Sequence, residues 1–136
     1  MKIYYVDYEN VSHWGLVGIE NLSRSSKVYI VSRDTDTLRL ASISAVLKSK
    51  ANIEVLTVST GGRNALDFQL VTHLMLKYNK NNKYLIIAKD QGYDFAIDMA
   101  KSLGKDNIRR FCTIQDAVKS EVNDDITYVA ETDDIF

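Results

Sequence analysis

A chain of 136 residues, 46% hydrophobic and 26% charged, is sized for one folded domain with a real core, and that composition excludes a disordered polymer. Its single cysteine, Cys112, excludes an intramolecular disulfide and any thiolate-rich metal site within one chain. The net charge of −1 conceals an asymmetry: 16 Lys and Arg stand against 11 Asp and Glu up to Gln115, and 1 against 7 beyond it, so a mildly basic body compatible with a polyanionic ligand carries an acidic end.

The first apolar run, KIYYVD, opens as a strand and not as a charged leader, and no apolar run approaches the roughly 20 residues that span a bilayer. A cytoplasmic protein without membrane contact is expected. Next come a helical segment around Trp14 to Leu22, the strand run KVYIVS, a helix from Thr37 to Lys50 and the strand run IEVLTVS. A helix from Asn64 to Tyr78, the run KYLIIAKD, a helix from about Tyr93 to Leu103, the run IRRFCTI and a short helix from Gln115 to Lys119 complete the alternation. Five strands alternating with helices predict a three-layer α/β/α sandwich around a mostly parallel sheet, because right-handed crossovers place helices on both faces. The domain is expected to span residues 1 to 119, followed by an acidic tail over residues 120 to 136.

In such sheets ligands bind beyond the carboxyl ends of the strands, where the strand order reverses. The first strand ends at Asp7 and the fourth at Asp90, and in a 3-2-1-4-5 order these strands are neighbours. Two carboxylates that meet there repel, and a cation or a shared proton makes the pair tolerable. Asp67 stands in the first turn of the third long helix, at helical spacing from Val71, Leu74 and Tyr78, and is expected on the inward stripe. Taken alone it is better explained as half of a capping box with Asn64. Asp94 opens the following helix, where compensation of the helix dipole is the simpler explanation. Together, Asp7, Asp67, Asp90 and Asp94 fall on one edge of the predicted sheet, and such an all-oxygen set suits Mg2+ or Mn2+ better than zinc.

Three stretches, YYVDYENV, NALDFQLVTHL and IIAKDQGYDF, resemble the PIN/NYN-type nuclease superfamily over residues 1 to about 113. The resemblance implies a metal-dependent ribonuclease in which Asp7, Asp67, Asp90 and Asp94 match the acidic catalytic and metal-binding positions, Asn10 matches the amide of a D-x-x-N pattern, and a metal-oriented water is the nucleophile. The chain departs from the common S-D-x-D arrangement: its second acid is displaced by two residues, and Lys89 replaces the hydroxyl. Tyr8 also stands where many such proteins carry glycine.

Around this edge, Arg63, Lys89 and Arg33 are candidate phosphate contacts, and Tyr8, Trp14 and Tyr93 candidate stacking platforms for unpaired bases; a solvated arginine and a core-edge aromatic are the simpler alternatives. Asp34 and Asp36 are expected to cap a helix or reach the outer edge of the site, His73 to be satisfied or exposed away from it, and Cys112 to be a small buried residue in the last strand. The expected partner is single-stranded RNA, with DNA as the alternative. Association into a homo-oligomer and docking of the acidic tail on the basic body stay open. A non-catalytic nucleic-acid-binding module of the same fold is the competing reading. A receiver domain is disfavoured because the third strand closes with TVSTGG and offers no acceptor aspartate, and a nucleotide-binding fold because no glycine-rich phosphate loop follows any strand.

Overall fold

In a computed structural model, which describes residues 1–33, 37–58 and 65–122, the five apolar runs form one sheet. Strands β1 (Lys2–Asp7), β2 (Lys27–Arg33), β3 (Asn52–Val58), β4 (Lys83–Ile87) and β5 (Ile108–Phe111) pair in parallel in the order β3-β2-β1-β4-β5. This is the expected α/β architecture, with β1 at the centre and Asp7 level with Val31 of β2. The order reverses at β1 and β4, so the crevice beyond their carboxyl ends is the topological switch point.

Strand alternation divides the core in two. Tyr4, Val6, Val28, Ile30, Leu85 and Ile87 face one layer, built from α1 (Tyr8–Gly15), a 3-10 turn (Ile19–Asn21), α2 (Leu40–Lys48) and α5 (residues 114–122). Tyr5, Tyr29, Val31, Tyr84 and Ile86 face the other, covered by α3 (Ala65–Lys77) and α4 (Gly92–Ser102). Asp7 continues the Tyr5 series, so its side chain belongs to the α3/α4 face.

Several local expectations change. The first helix begins at Tyr8, well before Trp14, because Asp7 acts as its N-cap and accepts a hydrogen bond from the Asn10 amide at 3.1 Å. It ends near Gly15, and Gly18, with φ of +97°, turns the chain into the 3-10 segment at a place where a Cβ would press on the Gln115 backbone at 3.0 Å. On α3, Leu66, Leu70 and Leu74 are fully enclosed, and Val71 and Tyr78 of the expected stripe pack half-buried against the same core, with Asp67 half-buried at its start beside Tyr93. Cys112 lies just past β5 and is exposed, since the strand ends at Phe111 before the turn into α5. The boundary expected at residue 119 falls within α5, which continues to 122; residues 123–136 of the acidic end lie outside the described residues. Among the described residues no helix is long and apolar enough to cross a membrane.

Candidate active site

β1 delivers Asp7 into the crevice with only 1% of its surface exposed. One carboxylate oxygen accepts from the Asn10 amide, and the other accepts from the Tyr93 hydroxyl at 2.8 Å. Burial is the main reason that its pKa is pushed up to about 6; the Tyr93 and Asn10 hydrogen bonds work against this, and Asp67 and Glu9 add to it by repulsion. Among the described residues, the carboxylate is thus desolvated and its hydrogen-bond donors are neutral.

Tyr93, from the first turn of α4, is the centre of the constellation. Its hydroxyl lies 2.8 Å from Asp7 and 3.4 Å from Asp67, so one phenol bridges acids from β1 and α3. Burial first, and then the nearby Asp7 charge, hold the phenol pKa far above its usual value, so Tyr93 stays a hydrogen-bond donor. With only 3% of its surface exposed it offers no open ring to the solvent, in keeping with a core-edge aromatic and not with a stacking platform. Tyr8 is alike: it is 6% exposed, and its hydroxyl donates to the Thr37 carbonyl at 2.9 Å.

Asn10 performs a task that the sequence did not reveal. Its side-chain carbonyl accepts from the backbone amides of Lys89 at 2.6 Å and Asp90 at 3.0 Å, which ties the start of α1 to the loop after β4. Asp90 is exposed at the crevice, and its Oδ1 accepts from the Gly92 amide at 2.8 Å, closing a tight turn at the head of α4. Lys89 is exposed beside it, at the rim.

Asp94 points elsewhere. Both of its oxygens are gripped by the Arg110 guanidinium of β5, at 2.8 and 3.2 Å, and Arg110 also donates to the Ala88 carbonyl at 3.0 Å. This fork holds the Asp94 carboxyl below the usual range. The sequence hid the pairing because Arg110 reads as one of two arginines in a strand. Arg33 pairs with Glu9 at 3.0 Å, and Trp14 is 60% exposed against His13. His73 hydrogen-bonds the Tyr5 hydroxyl at 2.7 Å within the α3 face, a satisfied histidine. Arg63, Asn64, Asp34 and Asp36 lie outside the described residues.

Among the described residues no three carboxylate, imidazole or thiol side chains converge closely enough to enclose a metal ion as they stand. The donor chemistry nevertheless fits a hard divalent cation: Asp7 is buried and opposed only by neutral donors, Asp67 shares its phenol, and Asp90 opens on the cavity that Asp67 lines. That cavity has a volume of about 390 Å3 and runs between α3 and α4.

A parallel sheet of order 3-2-1-4-5 with acids from β1, α3 and the β4–α4 loop at its switch point defines an α/β domain with an acidic ligand crevice. A PIN domain profile matches residues 1–110, and the chain belongs to the PIN domain family. Members of the family are typically nucleases and generally use divalent metals such as Mg2+. No curated protein and no solved structure matches the chain in similarity searches.

Proposed function

We propose that the protein is a metal-dependent ribonuclease that hydrolyses phosphodiester bonds of single-stranded RNA at the crevice between β1, α3 and the β4–α4 loop. The observation that carries this reading is the buried Asp7 carboxylate, joined through Tyr93 to Asp67 and opposed, among the described residues, only by neutral donors. A fold that desolvates an acid without a counter-charge destabilises itself unless a ligand compensates.

Asp7, Asp67 and Asp90 would hold the cation. When bound, Mg2+ or Mn2+ would supply a water nucleophile at neutral pH and stabilise negative charge on the phosphoryl oxygens and the leaving oxygen. Asn10 fixes the loop that carries Asp90, and Tyr93 keeps the Asp7 and Asp67 carboxylates oriented towards one point. Lys89 at the rim meets a phosphate, and Arg63, two residues before α3 in the sequence, is assigned the same task. Asp94 stays with Arg110 and anchors the head of α4 to β5.

Product-end analysis tests this chemistry. Hydrolysis by water leaves linear phosphate and hydroxyl ends and tolerates a 2′-deoxy residue at the cleaved position. Cyclic 2′,3′-phosphate ends that vanish with that residue would mean that the RNA's own hydroxyl attacks, and would sink the proposal. A non-catalytic nucleic-acid-binding module is the second reading. It is favoured by the engagement of Asp90 with Gly92 and of Asp94 with Arg110, which leaves neither carboxylate free of protein partners.

A further inference from the structure

The cavity of about 390 Å3 beside Asp67 and Asp90 is walled mainly by Phe68, Val71, Tyr93 and Ala96. Such a volume falls within the usual range for a small-molecule site, roughly 300–1,000 Å3. Phe68 follows Asp67 directly, is 73% exposed, and lies off the Leu66, Leu70 and Leu74 stripe that docks α3 on the sheet. Packing does not require an aromatic ring there, yet the ring lines a cavity that two acids, Asp67 and Asp90, also line.

Building on the nuclease reading above, we infer that this cavity is a nucleobase subsite: it takes one unpaired base next to the phosphate bound at the acids, with Phe68 as its stacking platform. The chemistry of the lining matches that ligand. A base presents a flat apolar face to Phe68, Val71 and Ala96, which share one cavity with Asp67 and Asp90, the acids assigned to the cation that would hold the neighbouring phosphate. A base in a duplex is stacked and paired and cannot enter, so the subsite selects single strands.

The test pairs Phe68 variants with single-stranded RNA oligonucleotides carrying one abasic position at a time, with binding measured in EDTA and in Ca2+ and cleavage measured in Mn2+. Phe68→Ala is expected to weaken binding by about 5- to 100-fold, with the cleavage loss falling on KM rather than kcat. Phe68→Trp is expected to retain affinity, and Phe68→Leu, apolar without a ring, to lose it. An abasic residue at one position weakens the wild-type protein by a similar factor and leaves Phe68→Ala unaffected. Equal binding by Phe68→Ala and the wild type, or equal effects at every abasic position, overturns the subsite. So does a change in self-association with unchanged RNA binding, which would make this face a protein contact. The two readings separate cleanly: ring- and base-dependent binding without cleavage removes the nuclease and keeps the subsite, whereas Asp7-dependent cleavage indifferent to Phe68 does the reverse. Because Phe68 is largely exposed, these variants fold, and thermal melts matching the wild type verify it.

Discussion

Asp7 ends the central strand in a position where water cannot reach it, and among the described residues no ion pair compensates it. Its pKa is raised to about 6, so the fold favours the protonated acid. This contribution to stability is full below the ordinary value of 3.8 and is lost as pH rises through about 6. At neutral pH the ionised group is therefore destabilising, by about 1–3 kcal/mol for a shift of this size. Asp7→Asn is expected to raise Tm at neutral pH, because the Tyr93 hydroxyl can turn to Asp67, 3.4 Å away, and accept from the new amide. In melts recorded from about pH 4 to 8, the variant should also lose the fall in stability between the two pKa values. Added Mn2+ should raise Tm for the wild type and not for the variant. A variant less stable than the wild type at neutral pH would mean that the carboxylate serves the fold and not a ligand. The importance of Asp7 was legible in the sequence, since a charge at the end of an apolar strand is costly. Its bridge through Tyr93 was not, because it joins residues 86 positions apart.

The site is assembled by links between elements. Asn10 holds the loop after β4 through two backbone amides, so Asn10→Ala should displace Asp90 and lower Mn2+ affinity by about 10- to 100-fold. The melting temperature should change little, because Lys89 and Asp90 are exposed and water can satisfy their amides. Calorimetric titration with Mn2+ reads this directly, and unchanged affinity would return Asn10 to a merely local role. The Arg110–Asp94 fork makes the opposite prediction. Asp94→Asn and Arg110→Met should each change cleavage by less than about 10-fold, since a partly exposed ion pair contributes only about 1 kcal/mol or less. A loss from Asp94→Asn as large as that from Asp7→Asn would place Asp94 among the metal ligands after all. Element types and order followed from apolar runs, because a buried parallel strand has a plain signature. The stripe of α3 was legible only in part: Val71, Leu74 and Tyr78 do pack on the core, but Leu66 and Leu70 are enclosed more deeply, and only packing against the sheet shows the full width of the face. The early start of α1 is not legible in the sequence, because Asp7 serves as a helix cap as well as a crevice acid.

Across the whole molecule, the two edges of the sheet carry different charge arrangements. The crevice lies beyond the carboxyl ends of β1 and β4, while Glu121 of α5 bridges Lys2 and Lys83 at the strands' amino ends, at 3.4 and 3.3 Å. The topology itself explains why Asp7, Asp67 and Asp90, scattered along the sequence, reach one crevice: strands that are distant in sequence become neighbours at the switch point. That convergence was readable from strand order, whereas the allocation of Asp94 to Arg110 depended on side-chain geometry that no spacing encodes. The central claim is that the Asp7 crevice cuts RNA with a divalent metal. Its most direct test is cleavage of end-labelled single-stranded RNA by the wild type and by Asp7→Asn, each with Mn2+, Mg2+ or EDTA. The account predicts cutting by the wild type only, dependent on the metal and abolished by EDTA. Folded wild-type protein that binds the RNA and leaves it intact under both metals, or cutting that survives Asp7→Asn, would contradict it.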